Sequence, residues 1–91
     1  MKEIEKWAAE WHLKRYGINI DPFRTMTKLT EEVGELAKAL IKQDKQNAIE
    51  EVADVAIVLL HICRYLDISI IDAINLKRPT LEERLKKKQQ Q

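Results

Sequence analysis

Four carboxylates carry the chemistry that this sequence could perform. Glu32 and Glu35 stand three residues apart in "TEEVGE", and Glu51 and Asp54 stand three apart in "EEVAD". Side chains at i and i+3 are neighbours on a helix surface, so each pair presents two carboxylates along one edge. Two helices packed antiparallel through apolar stripes would bring those edges together. Four carboxylates at one place repel each other strongly unless a cation is bound. Oxygen-only ligands suit a hard cation, magnesium first and manganese as the alternative, and nothing points to zinc. A di-iron centre would also need Glu-x-x-His pairs. Val58 stands three before His61 and Ala9 three before His12, so that pair is missing.

A carboxylate pair on a helix is more often a solvated face, and "EEVGE" alone would be read that way. Asp54 shifts the balance. Aspartate is a poor residue for a helix interior, and it interrupts an otherwise apolar run, "VADVAIVLL". A carboxylate among Val and Ile loses hydration, which is costly unless it is paired or bound to a cation. With one spaced pair on each of two consecutive helices, a metal site is favoured over two solvated faces.

The elements that must hold these residues are helices. Apolar positions recur at helical spacing, and only two glycines and two prolines punctuate the chain. The first helix is predicted from Lys2 to Tyr16, with Ile4, Trp7, Ala8 and Trp11 along one side and Gly17 ending it. Residues 17–23 form a connection in which Asp21 and Pro22 read as an N-cap and first helical residue. The second helix runs from Pro22 or Thr25 to Gln43, its stripe being Leu29, Val33, Leu36, Leu40 and Ile41. The third spans about 47–66 and is apolar almost all round, which makes it central. It is expected to touch both its own neighbours and another subunit. Ser69 and Asp72 have the form of a capping box opening a fourth helix. Pro79 is expected to break or kink that helix, leaving a last short turn over 80–83 and a polar, frayed tail from about 86.

Ninety-one residues make one domain, spanning 1–91, and a chain this short buries a modest core alone. The 16 Lys and Arg against 15 Asp and Glu argue against general nucleic-acid binding. The single cysteine, Cys63, cannot make a disulfide framework within one chain and reads as a small buried hydrophobe. The charged N-terminus lacks an apolar signal core, and no run approaches the roughly 20 residues that span a bilayer. A soluble, cytoplasmic protein without membrane partners is expected.

With these residues in view, "KLTEEVGELAKAL" followed by "EEVADVAIVLLHICRYLDISIIDAINLK" resembles the MazG-type nucleotide pyrophosphohydrolases. Their signature is E-x-x-E, a spacer, then E-x-x-D. Here it reads Glu32-x-x-Glu35, fifteen residues, then Glu51-x-x-Asp54. The resemblance covers roughly 7–84 and implies an all-α fold, a compact four-helix bundle completed by oligomerisation. It implies magnesium-dependent cleavage of a nucleoside triphosphate between its α and β phosphates, giving a monophosphate and pyrophosphate. A homodimer or homotetramer is implied, with helices of two subunits forming the site. Glu32, Glu35, Glu51 and Asp54 would be the metal ligands, and Glu31 matches the first Glu of the longer E-E-x-x-E form. Lys28 fits the usual pattern before the acids. Family members often carry a Lys, an Asn four later and an Arg seven later. Lys77 and Arg84 fill two of those places, but Leu81 stands where the Asn would be.

Magnesium on the four acids would present the triphosphate to a water, which Glu31 or a ligand such as Glu35 would orient or deprotonate. Lys28, Lys77 and Arg84 are the candidates to neutralise phosphate oxygens. Trp7 and Trp11, one turn apart, could stack on a nucleobase, although aromatics so spaced more often fill a core or interface. Phe23 is read the same way. His61 lies two turns beyond Asp54, about 10 Å by helical rise, too far to share a metal with it; it could reach substrate, but a surface or interface histidine is the favoured reading. Two alternatives remain beside the leading one. The first is phosphoribosyl-ATP pyrophosphohydrolase, of the same superfamily; the second is a non-catalytic helical interaction module whose acidic edges bind a basic partner.

Overall fold

A computed structural model describes residues 2–17 and 21–90 of the chain, and the predicted connection at 18–20 lies outside them. The described residues are helical, in four elements: α1 (Lys2–Tyr16), α2 (Pro22–Ile41), α3 (Lys45–Tyr65) and α4 (Ile70–Gln89). The caps follow from residue chemistry. Gly17 ends α1 with φ of 84°, a conformation that costs glycine little because it has no Cβ. Its N–H donates to the Leu13 carbonyl at 2.9 Å. Asp21 accepts from the Phe23 and Arg24 N–H groups at 3.0 and 3.3 Å, with Pro22 in the first turn, where a missing N–H is harmless. Asp44 caps α3 by accepting from the Asn47 N–H, and Ser69 caps α4 by accepting from the Asp72 N–H, both at 3.1 Å.

A three-residue connection, residues 42–44, joins α2 to α3. The two helices form an αα-hairpin, and α1 packs on α3, so α3 is central as its composition requires. The seam between α2 and α3 is built from two matched rows. Leu29, Glu32, Leu36 and Ala39 face inward on α2, and Ala48, Glu51, Val55 and Val58 on α3. Both rows step by three, four and three residues, the spacing of one helix face. The predicted α2 stripe is therefore corrected. Val33, Leu40 and Ile41 are exposed, and Ala39 is buried in their stead. A carboxylate occupies the inner row of each helix, and much of the apolar surface is turned outward.

α4 does not break at Pro79 as expected but runs through it, and its assigned bounds extend to Gln89. Residues 74–89 of α4 are all exposed, so water can satisfy the carbonyl that proline leaves without a donor. Arg78 adds an i, i+4 pair across this site, its Nε donating to Glu82 Oε1 at 2.9 Å. The compact bundle is also not formed by one chain. α4 has no buried residue and is tied to α1 at its start, where the Ile70 N–H donates to Glu5 Oε1 at 3.3 Å. The radius of gyration is 16.0 Å, against about 12 Å for a compact domain of this length. The accessible surface is 7602 Å², against about 5,500 Å² for a monomer of this mass. The buried residues Ala8, Ala39, Ala48, Val58 and Leu60 make a thin core.

Candidate metal and nucleotide site

The inner rows bring carboxylates from both helices of the hairpin to one place. Glu32 of α2 and Glu51 and Asp54 of α3 each offer one oxygen, and these three atoms lie within 4.8 Å of one another. Glu51 is the innermost of them by chemistry. Its Oε2 is buried and has no hydrogen-bond partner among the described residues. Burial first, then the charges of Asp54 and Glu32, raise its proton affinity, with a hydrogen bond to Glu32 open only to its protonated form and the charge of Glu35 adding to the effect. A buried acceptor without a donor is unfavourable, and a bound cation would satisfy it. Hard oxygen donors from three carboxylates fit magnesium or manganese.

Glu35 lies outside that close group and is exposed, one turn beyond Glu32, yet near enough to act on Glu51. Glu31 is exposed and also outside the group. Lys28 Nζ sits 3.0 Å from Glu32 Oε1, one turn back on α2. That bond and the charge of Glu32 raise the Lys28 pKa, so the amine stays protonated at the edge of the acidic cluster.

A cleft of about 700 Å³ opens beside the acids. Glu32, Asp54 and Lys28 line it together with Trp7, Trp11, Tyr16 and Arg24. Its size falls in the range of small-ligand sites. Trp7 and Trp11 are 50% and 41% exposed, so neither is a core residue of the chain. Phe23, Lys77 and Arg84 are exposed and do not line this cleft.

Two histidines are the larger surprise. His61 is buried at 5% exposure, which corrects the reading of it as a surface or interface residue. His12 is buried to the same degree, and the two rings lie 4.1 Å apart, tilted by 55°. Trp11 stacks on His61 with 7° between the planes. Both imidazoles line the cleft. The signal for His12 was available: Ala8 and His12 are one turn apart and together form the buried face of α1. Cys63 is half-buried, and burial raises its thiol pKa, as its reading as an apolar residue requires.

No helix among the described residues is long and apolar enough to cross a membrane. No curated protein and no solved structure matches the chain significantly. The family model for the MazG nucleotide pyrophosphohydrolase domain matches residues 21–87, from the N-cap of α2 almost to the end of α4. That span holds the whole acidic cluster and leaves out α1, which supplies the tryptophans and His12. With most of the chain matched, the protein belongs to the MazG nucleotide pyrophosphohydrolases, hydrolases acting on phosphoric anhydrides.

Proposed function

We propose that the protein is a magnesium-dependent nucleoside triphosphate pyrophosphohydrolase, cleaving between the α and β phosphates. The observation that carries this reading is the convergence of Glu32, Glu51 and Asp54, with an orphaned buried oxygen on Glu51. Three carboxylates without a cation would repel a polyphosphate; with one, they can hold it. Glu32, Glu51 and Asp54 would ligate the ion, with Glu35 as a fourth donor. When bound, magnesium would supply charge neutralisation for the polyphosphate and a more acidic water.

The chain's own groups do the rest. Lys28 stands beside Glu32 as a fixed positive charge for a phosphate oxygen. Glu35, outside the close group, is free to accept a proton from the attacking water if it is not ligating, and Glu31 is the second candidate. Trp7 and Trp11 offer exposed rings on the cleft wall, and a nucleobase can stack on such surfaces.

The working form is a homodimer or homotetramer acting in the cytoplasm. The uncovered apolar side chains support this, among them Val33 and Leu40 of α2, Val52 and Leu59 of α3, and Ile74 and Leu81 of α4. Exposed apolar side chains in this number mark an interaction face where they adjoin. In such an assembly Lys77 and Arg84 would come to a partner's phosphate site.

The test is incubation with canonical and modified nucleoside triphosphates, with and without magnesium, measuring pyrophosphate and orthophosphate separately. Magnesium-dependent pyrophosphate release is the expected result. Orthophosphate alone would mean a different cleavage point. No release from a folded protein would remove the triphosphate reading and leave phosphoribosyl-ATP or a binding role.

A further inference from the structure

α1 is held to the rest of the chain by little apolar surface. Its buried residues are Ala8 and His12, and both of its tryptophans are exposed on one side. Two hydrogen bonds add to the hold. Arg64 of α3 donates from Nη1 to the Ala9 carbonyl at 3.1 Å, and the Ile70 N–H at the start of α4 donates to Glu5 Oε1 at 3.3 Å. The remaining contact is between two histidine rings.

His12 on α1 and His61 on α3 are each 5% exposed, with ring centroids 4.1 Å apart and planes tilted by 55°. Trp11 covers His61 and Tyr16 covers His12, at 6.1 and 5.1 Å. His12 Nδ1 and His61 Nε2 are buried and without a hydrogen-bond partner among the described residues. A neutral imidazole can leave such a position to its lone pair. A charged one carries a proton on both nitrogens and needs an acceptor for each. Protonation here would put an N–H where no acceptor stands and a buried charge beside a second ring, both unfavourable. The rings are sealed from ligands, but a proton reaches them whenever α1 opens for a moment.

The charges around the pair do not relieve this. Arg64, three residues beyond His61 on α3, opposes a proton on either ring. On α1, Tyr16 lies against His12 with the Arg15 guanidinium over its ring. Across the cleft stand Asp21, Arg24, Lys28 and Glu32 from α2 and Asp54 from α3. No carboxylate makes an ion pair with either ring among the described residues. The Ala8 backbone alone favours a proton on His61.

Burial therefore lowers the pKa of both imidazoles, that of His61 to about 4, against 6.5 for an ordinary histidine. Above pH 6.5 both rings are neutral whether α1 is docked or released, and docking has its full strength. Below it, the released form takes up protons that the docked form refuses. The ratio of docked to released α1 then falls by up to about tenfold per pH unit for each histidine.

We infer that the contact between His12 and His61 is an acid-released latch: neutral rings keep α1 docked on α3, and protonation of the pair frees α1 and takes its tryptophans off the cleft wall. Glu32, Glu51 and Asp54 are carried by α2 and α3, so they stay together when α1 leaves. α1 also lies outside the family-matched span, which begins at Asp21. Acid would thus dismantle the aromatic wall ahead of the acidic cluster. The latch does not depend on the proposed reaction, and its test needs no turnover.

Both tryptophans of the chain are on α1, so their emission reports its docking. Emission and far-ultraviolet circular dichroism of the metal-free wild type are followed from pH 8 to pH 4. The emission maximum should move to the red at a higher pH than the main loss of helix. His12→Phe and His61→Phe keep a flat ring that takes no proton. Each should lower the midpoint of the emission change by roughly half a pH unit or more, and the double variant should show no emission change ahead of helix loss. Coincident emission and helix transitions in the wild type would overturn the inference. So would an unchanged midpoint in a phenylalanine variant that emits like the wild type at pH 8.

Amide hydrogen exchange of the wild type decides the matter if the variants fail to dock. Protection of the amides of 8–16, corrected for intrinsic rates and divided by that of 48–58, should fall between pH 6.5 and 5 by up to about tenfold per unit for each histidine. A ratio that stays constant over that range would mean that α1 opens only with the whole fold, and the latch would be discarded.

Discussion

Lys28 Nζ lies 3.0 Å from Glu32 Oε1, so a cation of the chain already occupies one face of a carboxylate that a metal would need. The pair is i, i+4 on α2, and the lysine is half-exposed, so the bond itself is weak, on the order of 0.2–1 kcal/mol. Its consequence is competition. An incoming divalent cation must share Glu32 with the amine, whereas an incoming phosphate gains from it.

Lys28→Met separates these roles. Magnesium affinity of the nucleotide-free protein should tighten roughly two- to fivefold, because the competing charge is gone. The KM for nucleotide should rise about tenfold or more, because a charge-assisted hydrogen bond to phosphate is lost. Calorimetric titration with magnesium and steady-state kinetics read the two effects independently. Movement of both in the same direction would show that Lys28 serves only to hold Glu32.

The three close carboxylates make a second prediction with opposite signs for stability and activity. Asp54→Asn removes one of the charges that raise the Glu51 pKa. Without metal, the variant should unfold at a higher temperature than the wild type, since like-charge repulsion has fallen. Its hydrolysis should drop roughly a hundredfold or more, with the oligomer intact. Magnesium should raise the wild type's melting temperature and do so much less for Asp54→Asn, because only a bound ligand shifts the folding equilibrium. Activity that survives this change removes Asp54 from the site.

Much of this arrangement was legible in the sequence. The i, i+3 carboxylate pairs are local facts, and three of the four acids converge, but Asp54 is exposed, so the lost hydration expected of it in an apolar run is not found. The caps at Asp21 and Ser69 were readable for the same reason. What the sequence concealed is which face of each helix turns inward. On α2, two rows of apolar residues were available, and Leu29 and Leu36 were chosen with Ala39, not with Val33 and Leu40. That choice depends on what α3 presents, and small Ala48 and Ala39 allow close approach there. The burial of His61 is likewise non-local, since α1 covers it. Pro79 misled because propensity describes an isolated helix interior, whereas an exposed turn can hydrate its spare carbonyl.

The buried histidines set how metal-free stability depends on acid. His61 has a pKa near 4 when folded, below the ordinary histidine value of 6.5. Below pH 6.5 the unfolded chain takes up a proton that the folded chain refuses, so stability is complete above that pH and declines as pH falls towards 4. His12 is shifted in the same direction. Glu51 acts oppositely: its raised pKa means that the unfolded chain loses the proton first, so stability falls as pH rises above the ordinary glutamate value. Urea unfolding midpoints between pH 4 and 8 should show both effects. His61→Leu should flatten the decline below pH 6.5, and magnesium should cancel the decline on the alkaline side. An acid limb unchanged in His61→Leu would assign it to other groups.

One chain leaves α4 almost without support. An isolated helix of this length is marginal in water and gains most of its stability by packing an apolar face. Ile74, Leu81 and Leu85 lie at helical spacing along α4 and are 55%, 52% and 56% exposed. A second copy that covers this stripe would account both for the helix and for the large accessible surface. Ile74→Asp combined with Leu81→Asp puts two charges into that interface, where they would lose hydration without a partner. Light scattering should show the wild type as an oligomer and the double variant as a monomer at the same concentration. Far-ultraviolet circular dichroism should fall in the variant by the share of helix that α4 contributes, while α2 and α3 persist as a hairpin. A double variant that keeps the wild-type mass would mean that α4 lies outside the assembly, and the exposed residues of α2 and α3, Val33 and Leu59 first, would then be the interface to test.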